Sequence, residues 1–143
     1  GKSVEQYCIR KDMVLLSKND TPYKVDFVGD IGDEKIIISG NIYMMTVDAQ
    51  RISPVCLSFW LKSREGMMML RNASSSTGEN MKWISIRQLK EMLIPEFTAE
   101  DQYILLERKI KEMTISMNNI HEQLLSLKNT LRTLQYAMPD FTK

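Results

Sequence analysis

Residues that commonly carry catalysis are scarce in this chain of 143 residues. It has one histidine, His121, and two cysteines, Cys8 and Cys56, whose separation fits neither a metal site nor a redox motif. There is no glycine-rich loop that could hold a phosphate and no cluster with the spacing of metal ligands. These absences favour a binding protein that is not an enzyme, with no cofactor and no metal.

Long apolar runs and a strong charge of one sign are also missing. No apolar run approaches the roughly 18 residues of a membrane-spanning helix. No signal peptide is recognisable, so we expect a cytoplasmic protein with no membrane partner. The net charge is only +1, although residues 51–97 hold 7 Lys and Arg against 4 Asp and Glu. Such a local excess can attract a polyanion, but it is also common on solvated surfaces.

The most regular pattern lies in the last third of the chain. From Tyr103 onward, apolar residues recur at alternating spacings of three and four. A 3.5-residue period over several heptads predicts a left-handed coiled coil. Thr98 can cap this helix and Pro139 ends it, so we predict a coiled-coil helix over 98–138 and a tail over 139–143. The residues predicted to form the dimerisation seam are Tyr103, Leu106, Ile110, Met113, Met117, Ile120, Leu124, Leu127, Leu131 and Leu134.

A helix of this length, roughly 60 Å, is too long to be covered by a small domain, so we expect it to pair with another helix. In an antiparallel pair Glu107 of one chain would face Lys128 of the other, and the two-fold axis would fall near Asn118 and Asn119. Charged residues beside the seam are few, which leaves a parallel pair open. The alternative is that the apolar stripe packs against its own domain.

Residues 1–97 are predicted to form an α/β (α+β) domain with a small mixed sheet and short helices. Alternating and β-branched segments predict strands at 13–16, 23–28, 35–39, 41–47 and 92–95. Serine caps and apolar spacing predict helices at 54–62, 67–72 and 86–90. We expect Gly66 to interrupt the first two helices, and residues 73–80 to form a flexible polar loop.

Two polar loops with positive charge are candidates for a DNA-binding surface. Ser, Thr, Asn and Lys side chains suit contacts to phosphates and base edges, although ordinary surface loops share this composition. The first loop contributes Lys18, Asn19 and Lys24. The second contributes Arg71, Asn72, Ser74, Ser75, Ser76, Thr77, Asn80 and Lys82.

One pattern resembles the acidic pair and lysine of a magnesium-dependent nuclease. Asp26 precedes the run Asp33-Glu34-Lys35 at a predicted strand start. Combinations of this kind are common by chance, and the run also fits a solvated turn. We therefore treat cleavage of DNA as a third hypothesis, after DNA recognition and protein binding.

The order of features from Ser53 onward resembles the specificity subunit of type I restriction–modification systems. The helix over 54–63 is similar to the family's tyrosine-leucine helix, and Ser74–Gly78 is similar to its small polar loop with a glycine. An isoleucine-proline step at Ile94-Pro95 and a glutamine step over 99–102 then lead into the long helix, as in the family. Tyr7–Val47 would be the second part of a target recognition domain, whose first strands are missing.

The chain departs from that family in two respects. Glu96-Phe97 stands where a second proline is usual, and there is one recognition domain with one helix where complete subunits carry two of each. The resemblance therefore implies a half subunit, a C-terminal fragment or the recognition tail of a fused adenine methylase. It implies an α/β target recognition domain followed by a long spacer helix.

The function implied by the resemblance is sequence-specific recognition of double-stranded DNA. The expected partners are duplex DNA, a DNA adenine methyltransferase subunit, and a second copy or a second specificity repeat that pairs through the long helix. No Asn-Pro-Pro-Tyr-like methylase motif occurs, so the chain is not expected to methylate alone. The alternative is a coiled-coil interaction module whose head binds a protein.

Overall fold

Three antiparallel strands form the sheet near the start of the chain. The computed structural model describes residues 3–77 and 81–137. A 3-10 helix, Val4–Tyr7, precedes the strands β1 (Met13–Ser17), β2 (Val25–Phe27) and β3 (Ile42–Thr46), which lie in the order β2-β1-β3. The strands predicted within 13–16, 23–28 and 41–47 are confirmed. The central strand β1 pairs with both neighbours, and its apolar residues Val14 and Leu16 lie in the core.

The strands predicted at 35–39 and 92–95 are wrong. Ile37 forms only an isolated bridge with Cys8, and its side chain is 57% exposed. Residues 92–95 form neither a strand nor a helix, and Leu93 is 83% exposed. Both segments have β-forming side chains but lack a neighbouring strand with which to form a ladder, so tertiary context outweighs propensity.

Two helices follow the sheet in direct succession, α1 (Pro54–Lys62) and α2 (Arg64–Ala73). The Ser53 hydroxyl caps α1 by accepting a hydrogen bond from the Cys56 N–H at 3.1 Å. The prediction that Gly66 interrupts the helices is wrong, because Gly66 is buried inside the first turn of α2. A Cβ at this position would collide with the carbonyl oxygen of Trp60, so the close approach of α1 and α2 requires glycine.

A hairpin and a short helix complete the head. Strands β4 (Ser75–Thr77) and β5 (Met81–Trp83) pair antiparallel. The flexible loop predicted over 73–80 is therefore wrong for its strand residues, while residues 78–80 lie outside the described residues. Helix α3 (Ile86–Glu91) has a capping box in which Ser85 and Gln88 exchange hydrogen bonds, as expected from the serine cap.

The core lies between the sheet and helices α1 and α2. Its fully buried side chains are Val14, Leu16, Cys56, Ser58, Leu61, Leu70 and Ile84. The aromatic rings of Trp60 and Phe97 meet edge to face, with centroids 5.9 Å apart. This core holds the ends of β1 and β5 in fixed positions, and the candidate site is built at those ends.

The predicted long helix is confirmed as α4 (Ala99–Ala137), which has 39 residues. Thr98 and Asp101 form reciprocal hydrogen bonds at its start, since the Thr98 hydroxyl accepts from the Asp101 N–H at 3.1 Å and the Asp101 carboxylate accepts from the Thr98 N–H at 2.8 Å. The chain divides into two compact units, residues 1–106 and 107–143. Met138 and the predicted tail over 139–143 lie outside the described residues. In the part of the chain that the structure describes, no helix is both long and apolar enough to cross a membrane.

Candidate nucleic-acid interface

The structure brings the two predicted DNA-binding loops together at the end of β1. The Ile84 N–H, which follows β5, donates to the Lys18 carbonyl at 3.0 Å. Tyr23, in the first loop, is hydrogen-bonded to the hydroxyl of Ser74 in the second. Segments 18–24, 71–77 and 81–83 are therefore neighbours, and we refer to them together as the loop–hairpin region.

Lys18 lies where these segments meet. Its N–H donates to the Asn41 carbonyl at 3.0 Å, and its ammonium nitrogen lies 4.6 Å from the centroid of the Tyr43 ring. The Tyr43 hydroxyl in turn donates to the Ile84 carbonyl at 3.0 Å. The side chain of Lys18 is half-buried, so it is more restricted than a lysine on an open surface.

Burial raises the pKa of Tyr43 above its ordinary value of 10.0, and the neighbouring Tyr23 raises it further. The hydroxyl therefore stays protonated at neutral pH and can donate to the Ile84 carbonyl. The Tyr43 ring thus remains an uncharged surface beneath the Lys18 ammonium, of the kind that attracts a cation.

Two of the predicted serines turn their hydroxyls inward. Ser74 donates to the Leu70 carbonyl, so the Tyr23 hydroxyl is the donor in the bond between Tyr23 and Ser74. Ser75 accepts a hydrogen bond from the side-chain amide of Gln88 at 2.8 Å. Both hydroxyls stabilise the junction between the hairpin and its surroundings, which leaves them less available to DNA.

The pair Ser76 and Lys82 lies on the other face of the hairpin from Ser75. Ser76 and Lys82 are directly opposite each other in the β4–β5 ladder, and successive side chains of a strand alternate between its faces. The face with Ser76 and Lys82 is therefore opposite to the one that Ser75 presents to α3. Ser76 is exposed and Lys82 is half-buried. Thr77 is the last residue of β4, and Asn80 lies outside the described residues.

The remaining candidates are exposed polar side chains. Arg71 and Asn72 lie in the last turn of α2, and Asn19 follows β1. Lys24 is exposed, and its ammonium nitrogen lies 3.8 Å from a carboxylate oxygen of Asp20. Among the residues that the structure describes, three cations of the loop–hairpin region form no salt bridge; these are Lys18, Arg71 and Lys82.

Sequence reasoning did not identify the residues that join the loops. Tyr23 precedes β2 and Tyr43 lies in β3, and the hydroxyl of each bridges to a distant segment. Gln88 was expected only as part of a short helix, but its side-chain amide donates to Ser75. No local pattern indicates such long-range bonds. Trp83 could have been identified from the sequence as a candidate, because it is adjacent to Lys82 and aromatic residues combined with basic ones are common in nucleic-acid interfaces. Its side chain is 39% exposed.

The acidic residues of the nuclease hypothesis belong to no metal-binding group in the part of the chain that the structure describes. Asp26 is exposed on β2 and pairs with the ammonium of Lys62 at 3.8 Å. Asp33 and Glu34 are exposed in the loop between β2 and β3. Within residues 3–77 and 81–137, no three His, Cys, Asp or Glu side chains lie close enough together to hold a metal ion.

A second concave surface lies beside β3. It is a groove of about 840 Å³ between β3, α3 and residues 92–97. Apolar side chains from all three segments line it, among them Tyr43, Met45, Val47, Leu89, Met92 and Phe97. A groove of this size and composition can accept an apolar ligand or peptide, so it is the observation that favours a protein-binding head.

The long helix exposes its apolar stripe. Nine of the ten predicted seam residues are 50–68% exposed, namely Tyr103, Ile110, Met113, Met117, Ile120, Leu124, Leu127, Leu131 and Leu134. Leu106 differs, because it is half-buried against the core beside the fully packed Leu105. An apolar stripe of this length is costly to leave in water, which favours a helix partner.

Compared with protein-family models and with curated protein sequences, the chain matches none. The basis for a function therefore lies in the residues and in their geometry. The loop–hairpin region offers cations, hydroxyls and an aromatic ring, and the helix offers a regular apolar stripe. These two features suit a protein that binds a polyanion and associates through its helix.

Proposed function

We propose that this chain is a DNA target recognition module, of the kind found in the specificity subunits of type I restriction–modification systems. It binds duplex DNA on behalf of an adenine methyltransferase and does not itself perform the reaction. The observation that carries this proposal is the joining of two polar, basic loops at the end of β1 by the Lys18–Ile84 and Tyr23–Ser74 hydrogen bonds.

The chemistry of the loop–hairpin region supports this function. The cations Lys18, Arg71 and Lys82 can contact phosphates, and the neighbouring hydroxyl and amide groups can contact base edges. These residue types come from loops and a hairpin on a rigid sheet, which is a common arrangement for recognition residues. The order of sequence features, which resembles that of the type I specificity subunits, also supports this function.

The exposed stripe of α4 supplies the second part of the proposal. Two such helices, from two copies of the chain or from a second specificity repeat, pair along this stripe as a coiled coil. Pairing places two recognition domains in one assembly, so the DNA target has two half-sites, as in other dimeric DNA-binding proteins. The antiparallel register that places Glu107 opposite Lys128 is the arrangement we favour.

The experiment is a titration with duplex DNA at several salt concentrations. Arg71→Ala and Lys82→Ala should each weaken binding and lower the steepness of the salt dependence by about 0.9, the value for one lost phosphate contact on B-DNA. Lys11→Ala is the matched control. Lys11 is exposed but lies before β1, at the opposite end of the strand from Lys18.

Unchanged binding by both variants would remove the hairpin and the end of α2 from the interface. The groove beside β3 favours a second candidate, an interaction module whose head binds a protein. Capture of a protein partner that persists after nuclease treatment, together with no binding to duplex DNA, would support that candidate instead.

A further inference from the structure

We infer that Lys18 is a fixed phosphate-binding residue and that Tyr43 is the residue that positions it. This inference rests on the proposed DNA-binding function and assigns its main electrostatic contact. It differs from the assignments of Arg71 and Lys82, because among the described residues neither of these side chains has a ring contact like that of Lys18.

The backbone of Lys18 is held on both sides. Its N–H donates to the carbonyl of Asn41, just before β3, and its carbonyl accepts from the N–H of Ile84, just after β5, each at 3.0 Å. Hydrogen bonds to two separate segments fix the Cα of Lys18 relative to the sheet and the hairpin. A contact made from this position loses little backbone entropy on binding, which favours affinity.

The side chain is held as well. The ammonium lies 4.6 Å from the Tyr43 ring centroid, within the roughly 6 Å of a cation–π contact. The Tyr43 ring is itself fixed, because its hydroxyl donates to the Ile84 carbonyl at 3.0 Å. An aromatic ring carries no formal negative charge, so the ammonium keeps its full charge. In the described part of the chain Lys18 has no carboxylate partner, and its charge is therefore available to an anion.

A phosphate oxygen fits this geometry better than a base edge. The lysine ammonium is a compact charge without the planar fork that matches a guanine edge in two bonds. The ring contact also limits how far the ammonium can extend. Phosphate contacts fix the register of a protein on DNA, so a held Lys18 would place the neighbouring Ser76–Lys82 pair of the hairpin relative to the bases.

The test measures binding of the full chain to a pool of short duplexes of random sequence, between about 50 and 200 mM salt. Lys18→Met keeps the apolar stem and removes the charge. It should lower the salt slope by about 0.9 and weaken binding about eightfold at 0.1 M salt, equally for all sequences. Lys11→Met removes one charge at the other end of β1 and should leave the slope unchanged. Lys18→Arg should retain most of the slope.

Tyr43 is tested by a double-mutant cycle with Lys18. Tyr43→Leu removes the ring, so it should weaken binding in the wild-type chain but have little further effect in Lys18→Met. Tyr43→Phe keeps the ring and loses only the bond to Ile84, so its effect should be smaller. An equal loss from Tyr43→Leu in both backgrounds would show a purely structural role and overturn the positioning assignment.

The outcomes separate this inference from the proposed function. If the wild-type chain binds duplex DNA and Lys18→Met retains the full salt slope, the phosphate assignment fails while DNA binding stands. A loss confined to certain sequences, found by sequencing the bound fraction, would assign Lys18 to a base and also overturn it. Absence of salt-dependent duplex binding by the wild-type chain would overturn both.

Discussion

At the scale of single residues, several positions in this chain have a role that is set by one neighbour. Gly66 is the clearest structural case, because the backbone of Trp60 and Leu61 occupies the space that a side chain would need. Lys18 is the corresponding case in the candidate interface, where its ammonium lies 4.6 Å from the centroid of the Tyr43 ring. In both cases the controlling contact comes from a separate element or segment, so local sequence does not show it.

Gly66→Ala should destabilise the head by roughly 1–3 kcal/mol or more, because the new Cβ overpacks the junction of α1 and α2. Helix propensity alone predicts the opposite sign, since alanine favours helix by about 1 kcal/mol over glycine. The free energy of unfolding from urea denaturation measures the difference. Gly40→Ala is the control, as its Cβ would meet nothing within 4 Å; stabilisation by Gly66→Ala would contradict the packing account.

The start of α4 gives a prediction about pH. Hydrogen bonds from the Thr98 hydroxyl and N–H lower the pKa of Asp101 below its ordinary value of 3.8. A lowered pKa in the folded chain contributes stability above pH 3.8, and this contribution is lost as the pH falls through the folded value. Thr98→Ala should raise the pKa of Asp101, as measured by NMR titration of the carboxylate.

Thr98→Ser keeps a hydroxyl in the same position and is the control for that titration. It should leave the pKa of Asp101 low, and the acid side of its stability profile should follow the wild type. An unchanged Asp101 pKa in Thr98→Ala would contradict the assignment of the lowered pKa to the Thr98 hydroxyl.

At the scale of elements, the exposed stripe of α4 is the feature that most needs a partner. Met117 is 68% exposed and Ile120 57% exposed, so neither side chain contributes to the packing of its own chain. Replacing both by glutamate should therefore leave the fold intact and abolish self-association, because the charges would be buried in the seam. Light scattering or sedimentation measures the mass.

The matched control for the seam is Ser126→Glu with Asn129→Glu. These substitutions add the same two charges to exposed positions of α4 that lie outside the apolar stripe. The control should keep the mass of the wild type. A dimer that persists in the Met117 and Ile120 double variant would place the self-association surface elsewhere.

The elements also show how far the sequence was informative. Helix α1 begins after Ser53 and α3 after Ser85, as their serine caps predict, and α4 follows the heptad pattern throughout its described length. The prediction of a strand at 35–39 was wrong, because a β-branched run becomes a strand only where a partner strand is available. Local signals thus predicted the helices better than the strands, whose formation depends on distant partners.

In the candidate interface too, local features could be predicted from the sequence and long-range contacts could not. Its cations and hydroxyls were predicted from composition, including Lys18 and Lys82, but the bonds that bring their loops together were not. Tyr23 and Ser74 are separated by 51 residues, and Tyr43 and Ile84 by 41. Contacts at such separations result from the packing of the whole head, and a single sequence contains no periodic signal for them.

At the scale of the whole molecule, the proposed function depends on two separate features, the loop–hairpin region and the apolar stripe of α4. In the proposed function, the loop–hairpin region would bind DNA, and the helix stripe would join two copies so that two recognition domains belong to one assembly. A dimer binds two half-sites at once, and the second contact is favoured by the high effective concentration that the first creates. Loss of either feature should therefore weaken binding to a two-site duplex.

The measurement that tests this account most directly is the solution mass by light scattering, for the chain alone and with duplex DNA at low and moderate salt. We expect a dimer that binds duplex DNA, with an affinity that falls steeply as salt is raised because lysine and arginine side chains displace counterions from the phosphates. A monomer that shows no salt-dependent association with duplex DNA would contradict it.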